Sequence, residues 1–403
     1  MKIISDIISD HNEWQNFLSY KLEGGHLRKS EEEDLTAYIE NKEYLPFVEL
    51  YLEGKDFSIP RAVILNKQYS NKKRTVFMYP REENYFLKFI AYALSRYDDI
   101  FCNNLCSFRR GITVKTAIRA LSRTKGISEM YSYKVDISDY FNSVDIDILI
   151  PMLEKVLTDD IVLYGFLKKM LCNPYALKDG EKVIMKKGIM AGVPVSSFLA
   201  NLYLYELDKW FYEKDITYIR YSDDIIIFDD SEEEIKEHSE MIKRLLSEYN
   251  LSVNPSKEIY VTKGDRWEFL GFSYHKGVID ISDIALAKLK GKMKRKAKAL
   301  IRWREKKNLE PYKAVKAFIK KFNKKLYGNA DDNGITWSRW YFPVINTDKS
   351  LKVLDNYMQD CIRYIASGNY SKSRYNFRYE DMKKLGYISL VNEFYKEHEK
   401  IKE

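Results

Sequence analysis

Cysteine and histidine are scarce. Four cysteines (Cys102, Cys106, Cys172, Cys361) in 403 residues include no C-x-x-C pair. That excludes a disulfide framework, offers no grip for structural zinc, and leads us to expect a reduced compartment. The five histidines (His11, His26, His238, His275, His398) stand singly, with no partner at metal-ligand spacing, and read as isolated surface or core residues. Long apolar runs are missing too. The most apolar stretch, residues 189–205, contains Pro194, Ser196, Ser197 and Asn201 and falls short of the roughly 20 residues that cross a bilayer. At the N-terminus Asp6 and Asp10 interrupt any apolar core, so neither a signal peptide nor a membrane segment is expected. No repeat and no low-complexity tract is present.

What remains is an ordinary globular composition, 45% hydrophobic and 31% charged. It excludes disorder, collagen and coiled-coil rods. At 403 residues, two to three domains of roughly 100–200 residues each are expected. The net charge is only +8, but it is unevenly spread. Residues 284–330 hold 17 Lys and Arg against Glu305 and Glu310, which leaves the rest of the chain net negative. A basic, aromatic-bearing helical segment on a near-neutral chain is an electrostatic footprint for phosphates. The plainer alternative is a solvated, lysine-rich helix face. Stacking faces are plentiful, with 32 Tyr, 20 Phe and 6 Trp.

The first fifty-odd residues read as acidic-leaning helices. Residues 58–80 (SIPRAVILN, QYSNKKR, TVFMYP) read as a β-hairpin with Lys72, Lys73 and Arg74 at its tip. A helix comes next, with Phe86, Phe89, Ile90 and Ala93 on one face. From Met130 the order of elements becomes informative. YSYKVDIS is a strand, DIDILIPMLEKVL a helix, SSFLANLYLYELDKWF a helix apolar nearly all round and hence buried, and TYIRYSDDIIIF two strands about a tight turn. SEEEIKEHSEMIKRLLSEYN is an amphipathic helix opened by a capping box of Ser231 and Glu234, and LSVNPSKEIYVT closes as a strand. This β-α-α-β-β-α-β order predicts an α+β fold built on a slightly elaborated split βαβ sheet of the ferredoxin-like kind.

Asp-Asp occurs at 98, 159, 223, 229 and 331, so the dipeptide alone carries no information. Even YDDIF at 97–101 ends a helix with no strand before it. Asp223 and Asp224 differ because they lie in the turn between two apolar strands. Holding two anions there is costly unless a cation neutralises them. Asp136, centred in YSYKVDIS, supplies a third carboxylate. In a split βαβ sheet the first strand lies beside the hairpin, so Asp136 and Asp223 can converge. Three such carboxylates suit two Mg²⁺ ions, which take oxygen ligands and also hold substrate phosphates. A metal pair of that kind stabilises the attacking and leaving oxygens of a phosphoryl transfer. Taken singly, Asp136 could cap a helix and the 223 pair could be a polar turn; the joint element order argues against both.

At these residues the chain resembles the reverse transcriptases. YSDD at 221–224 is similar to the family's tyrosine-x-aspartate-aspartate box, KVDISDYFNSVD at 134–145 to its first-aspartate motif, and CSFRRGITVKTAI at 106–118 to its preceding finger motif. GVPVSSFLANLYLYELD resembles the block after the template-binding loop, while SVNPSKEIY and EFLGFSY resemble the late lysine motif and the primer-grip hairpin. WSRWYFP resembles a tryptophan-rich segment of the group II intron lineage. The resemblance implies a right-hand polymerase: an N-terminal helical extension at 1–57, fingers and a ferredoxin-like palm at 58–283, and a basic α-helical thumb at 284–403. Asp136, Asp223 and Asp224 become the catalytic carboxylates, and with Ile137 they form the metal-holding set for two Mg²⁺ ions, with Mn²⁺ able to substitute. Lys73, Arg74, Phe141, Ala191 and Gly192 become nucleotide-binding residues, with Phe141 under the sugar, where a 2′-hydroxyl would clash; otherwise Phe141 is a core aromatic. Leu270 and Gly271 become the primer grip. Arg109, Arg110, Lys257, Lys292, Lys294, Lys296 and Lys298 become nucleic-acid contacts.

Two departures narrow the resemblance. Met190-Ala191-Gly192 stands where the family usually has proline-glutamine-glycine, and Ser197 where proline usually follows a serine. This altered block is more similar to the prokaryotic "unknown group" enzymes associated with phage defence than to intron maturases or retrons. Residues beyond 330 suggest neither a zinc-finger endonuclease nor an RNase H, which argues against a self-mobilising element. The implied function is RNA-templated DNA synthesis in the prokaryotic cytoplasm, in antiphage defence. The implied partners are a dedicated structured non-coding RNA template, dNTPs and the cDNA product, with room for a homo-oligomer and none for a membrane. The alternatives are an intron-type or diversity-generating reverse transcriptase, or a maturase-like RNA-binding scaffold.

Overall fold

Where a strand must be covered on both faces its sequence runs apolar without a break, and Ile225–Ile226–Ile227–Phe228, all buried, is such a run. The computed structural model describes residues 3–24, 27–66, 73–328, 336–369 and 371–400. The architecture is α+β, and the chain divides into two compact units, residues 1–117 with 129–263 and residues 118–128 with 264–403.

The first unit opens with the helices Ile4–Ile7, His11–Glu23, Lys29–Glu40 and Leu45–Leu52. Trp14 anchors them. Its ring lies stacked between Tyr44 and Phe89, with centroids 4.2 and 4.0 Å away, and its indole N–H donates to the Ile8 carbonyl at 2.8 Å. Phe89 belongs to the helix Arg81–Ala93, whose Phe86, Phe89, Ile90 and Ala93 are all buried, as the sequence spacing predicts. The N-terminal helices therefore share a core with helix Arg81–Ala93.

Two four-stranded sheets complete this unit. Strands Arg61–Asn66 (β1) and Lys73–Met78 (β2) form the expected antiparallel hairpin. Lys73 and Arg74 are not in its turn: they are the first residues of β2, paired with Asn66 and Leu65, because the ladder runs further than the sequence suggests. Lys72 lies outside the described residues. Next comes Tyr131–Asp136 (β3), then a hairpin the sequence reading missed, Tyr175–Lys178 (β4) and Glu181–Ile184 (β5). Its turn is Asp179-Gly180, both at positive φ (52° and 90°), which is the Asp-Gly signature of a two-residue hairpin loop. The outer sheet has the order β2-β1-β4-β5.

The second sheet is the one expected. Thr217–Tyr221 (β6), Asp224–Asp229 (β7) and Ile259–Val261 (β8) join β3 in the order β6-β7-β3-β8, every neighbour antiparallel. That is the ferredoxin-like arrangement, with the aspartate-bearing hairpin beside the first strand. The helix Glu232–Glu248 returns the chain to β8, and the Ser231 hydroxyl caps it by accepting from the Glu234 N–H at 3.3 Å. The stretch 196–211, read as one buried helix, is two, Ser196–Tyr203 and Tyr205–Glu213, because Leu204 leaves the helical region (φ −109°, ψ 19°).

In the second unit, Trp267–Phe269 (β9), Phe272–His275 (β10) and Val278–Ile281 (β11) make a three-stranded meander. The helices Asp283–Lys307, Pro311–Tyr327 and Lys349–Ser367 come after it, among shorter ones. Asp283–Lys307 buries Leu289, Met293, Ala297 and Leu300 along one stripe, at the spacing of a single helix face. No described helix is long and apolar enough to cross a membrane.

Candidate active site

The register of the inner sheet builds the site. β3 and β7 pair so that Asp136, the last residue of β3, lies directly opposite Asp224, the first of β7. Asp223 precedes it in the two-residue turn Ser222-Asp223. The turn is closed by Tyr221 pairing with Asp224 on one side and by the Ile137 N–H donating to the Asp223 carbonyl at 2.9 Å on the other. Ile137 and Val253 form an isolated bridge, and the Asp136 carbonyl accepts from Asn254 N–H at 2.8 Å. The predicted meeting of Asp136 with Asp223 is thus a consequence of strand pairing, which also brings Ile137 and Asp224 beside them.

Crowding the anions has an electrostatic cost. Burial, then the Asp136 charge, raises the Asp223 carboxyl above its ordinary range. Burial, then Asp223 and Asp136, pushes Asp224 up to about 6. Both shifts run upward because a second and third negative charge in a desolvated corner is unfavourable. The Lys257 ammonium, donated to Asp136 Oδ2 from the turn Pro255–Lys257, offsets part of this. Lys257, expected on nucleic acid, is here the counter-ion of the first carboxylate.

Do these residues fit a divalent cation? The donors are hard carboxylate oxygens whose mutual repulsion Lys257 relieves only in part. Among the described residues no three acidic, His or Cys side chains close into a ready-made cage. Mg²⁺ is usually held by one or two carboxylates completed by substrate phosphates rather than by an all-protein cage, so an open set of this kind fits.

Three rings form a chain that begins at Tyr221, the residue paired with Asp224. Phe141, half-buried in the turn of helix Tyr140–Ser143, meets Phe108 edge-on at 6.3 Å, and Phe108 lies 6.4 Å from Tyr221. Phe108 is exposed and holds a left-handed backbone, φ 55°. The Phe141 carbonyl accepts from Ile189 N–H at 2.9 Å, and a Cβ on Gly188 would sit 2.2 Å from that oxygen. The 187–192 loop is therefore seated on the backbone of Phe141. At its other end the Ala191 carbonyl accepts from Phe77 N–H of β2 at 2.8 Å. Ala191 is wholly buried, whereas Gly192 is exposed at φ 101°. Arg74, three residues before Phe77, is exposed.

The remaining expected residues are dispersed. Arg109 turns its guanidinium onto the carbonyls of Cys102, Leu105 and Asp98. Arg110 is exposed and stacks over Tyr20 and Tyr92, 4.7 and 4.5 Å from their centroids. In the second unit, Leu270 and Gly271 are the turn between β9 and β10, both at positive φ (50° and 88°), and Gly271 backs onto Tyr341, whose hydroxyl would lie 3.0 Å from an added Cβ. Lys294 and Lys298 are exposed on the helix Asp283–Lys307, and Lys292 and Lys296 are half-buried. Lys292 faces Lys325 of the next helix: burial first, then the Lys292 charge, lowers the Lys325 ammonium.

Sequence reasoning missed a polar cluster beneath the turn. Arg220 and Asp208, both buried, form a two-pronged ion pair: Nε donates to Oδ1 at 2.8 Å and Nη2 to Oδ2 at 2.5 Å. Tyr218 donates to the same carboxylate at 2.9 Å. The signal was available: an arginine centred in the apolar strand TYIRY and an aspartate in a buried helix must find partners.

The family described as "Reverse transcriptase (RNA-dependent DNA polymerase)" matches residues 67–274. No curated protein matches. Among solved structures, an apo telomerase from Candida tropicalis, truncated from its C-terminal domain, is similar with a TM-score of 0.45 at 11% identity. The match covers 56% of this chain and 55% of that one, so this chain spans little more than half of it. A telomerase from Candida albicans in complex with a TWJ fragment of telomeric RNA gives 0.43 at 12% identity, covering 86% of this chain and 68% of that one.

Proposed function

This chain belongs to the reverse transcriptase family, and from that premise we propose that it copies an RNA template into cDNA at Asp136, Asp223 and Asp224. The observation that carries the reading is the register that sets Asp136 opposite Asp224, with Asp223 in the adjoining turn. A strand pair gains nothing in stability from three crowded carboxylates. Asp136, Asp223 and Asp224 would hold two Mg²⁺ ions, which supply charge neutralisation for the 3′-oxygen and the leaving pyrophosphate when bound. Mn²⁺ has the same preference for oxygen donors and would serve in their place.

The chain's own residues do the rest. Arg74 on β2 reaches for the triphosphate, a role suited to a guanidinium. Phe141, held through its carbonyl by the 187–192 loop, presents an aromatic wall to the sugar and so favours dNTPs. The exposed lysines of helix Asp283–Lys307 hold nucleic-acid backbone by charge. In this reading residues 58–283 supply fingers and palm, the meander 264–281 packing with the second unit, and the basic helices beyond 283 are the thumb.

We further propose that the template is one dedicated structured non-coding RNA and that the setting is antiphage defence. Ala191 in place of the usual glutamine supports a specialised polymerase. Its side chain is a buried methyl with no hydrogen bond to offer a nucleotide. Primer extension by the purified protein, beside Asp223→Asn, tests the polymerase reading; near-normal extension by the variant refutes the site. Sequencing the RNA and DNA that co-purify from the native host tests the template. A broad sample of the transcriptome would refute dedication.

A further inference from the structure

We propose that Ser107 and Arg220 are positioning residues of this polymerase site. They form a buried clamp that fixes the backbone of Ser222 and thereby aims the carboxylates of Asp223 and Asp224. The proposal rests on the reading that those carboxylates hold the metals.

The turn Ser222-Asp223, which leads directly into Asp224, is held by three bonds to its backbone. Ser222 N–H donates to Ser107 Oγ at 2.9 Å. Ser222 C=O accepts from Arg220 Nη1 at 3.2 Å. Asp223 C=O accepts from Ile137 N–H at 2.9 Å. Ser222 itself sits at φ 60°, a region disfavoured for residues with a Cβ. A strained residue persists only where its surroundings over-determine it, and the two side-chain bonds do that.

Both holders are themselves oriented. Ser107 and Arg220 are fully buried. The Ser107 hydroxyl donates to Asn201 Oδ1 at 3.1 Å, which turns its lone pairs toward Ser222 N–H, and Asn201 Nδ2 returns a bond to the Ser107 carbonyl at 2.8 Å. Asp208 grips two arms of Arg220, and Nη2 also donates to the Asn201 carbonyl at 3.2 Å. The third arm is left for Ser222.

An ion pair that merely joins β6 to the helix Tyr205–Glu213 would account for Nε and Nη2. It would account neither for Nη1 nor for Ser107. The loop that bears Ser107 is also bound to β6 directly, through Arg220 N–H to Asn104 O at 3.0 Å and Cys106 N–H to Arg220 O at 2.9 Å. That loop continues into Phe108, Arg109 and Arg110, so the finger motif and the metal turn share one rigid frame. Pre-organised ligands of this kind act on the chemical step more than on substrate affinity.

The test compares parent, Ser107→Ala, Ser107→Thr and Arg220→Lys by kcat, the KM for dNTP, and the Mg²⁺ concentration giving half-maximal rate. Circular dichroism and melting serve as fold controls. Ser107→Ala and Arg220→Lys are expected to lower kcat by roughly tenfold or more and to raise the Mg²⁺ requirement, as loss of one buried hydrogen bond implies. The KM for dNTP stays within about twofold. Ser107→Thr, which keeps the hydroxyl, restores most of kcat. A folded Ser107→Ala with parental kcat and parental Mg²⁺ dependence overturns the clamp. If the variants do not fold, hydrogen exchange at the Ser222 amide of the parent, in chelator, decides. Protection comparable to that of Ile226 in β7 supports the clamp, and exchange as fast as an exposed loop overturns it. A parent that extends no primer sinks the polymerase reading instead, and the exchange measurement still judges the clamp.

Discussion

Asp224 shows how a single residue can be kept against the interest of stability. Its carboxyl sits at about 6 against an ordinary 3.8, so the folded chain binds that proton more tightly than the unfolded chain does. The stability it contributes is complete below about pH 4 and is lost as pH rises through 6. Asp224→Asn removes the penalty. In chelator at pH 8 the variant is expected to be more stable than the parent by about 1–3 kcal/mol, a gain that vanishes near pH 4. Its polymerase activity should be abolished. Thermal melts at both pH values check this, and a variant less stable than the parent at pH 8 would contradict it. Phe141 carries a separate prediction: Phe141→Ala should raise ribonucleotide incorporation relative to dNTP by roughly 10- to 100-fold, an effect of the size that steric selection gives. Unchanged discrimination on one template would make Phe141 a core aromatic.

At the scale of elements, the hairpin TYIRYSDDIIIF and the strand YSYKVD were legible because their apolar runs are bounded by charges the interior rejects. Once the element order implied a split βαβ sheet, the meeting of Asp136 with the 223–224 pair was implied as well. Interactions that depend on distant side chains were not legible. Nothing in the spacing of Asp208 and Arg220 says which partner each takes, and Arg109 looks like any surface arginine until its guanidinium is seen on three carbonyls. The 187–192 loop shows the same limit, since Gly188 looks free in sequence and proves to be pressed on Phe141. Gly188→Ala would drive a Cβ to 2.2 Å from a backbone oxygen at φ 51°. A loss of about 2–4 kcal/mol in chemical denaturation is expected, and a loss under about 0.5 kcal/mol, the range of a neutral surface change, would show that the seat can shift. For the helix Asp283–Lys307, reversing Lys292, Lys294, Lys296 and Lys298 to Glu should flatten the salt dependence of nucleic-acid binding. On a single strand the log–log slope falls by about 0.7 for each phosphate that is no longer neutralised. The fold should survive, because a glutamate at 292 relieves the repulsion on Lys325. An unchanged slope would mark these lysines as a solvated face.

At the scale of the whole molecule, the sequence suggested an appendage at 1–57, and the structure gives those residues a share of the first unit's core. Their aromatic positions pack with Phe86 and Phe89, and Glu13 pairs with Arg96 at 2.9 Å. The boundary was illegible because amphipathic helices announce that they need a partner without naming it. The Trp14 stack has a practical consequence. An indole pressed between two rings is an optical gauge, since its emission and near-ultraviolet dichroism respond to the loss of either neighbour. With the other tryptophans replaced by phenylalanine, Trp14 would signal the moment the N-terminal helices lift from helix Arg81–Ala93. That signal would tell whether these helices let go before the rest of the unit or only along with it.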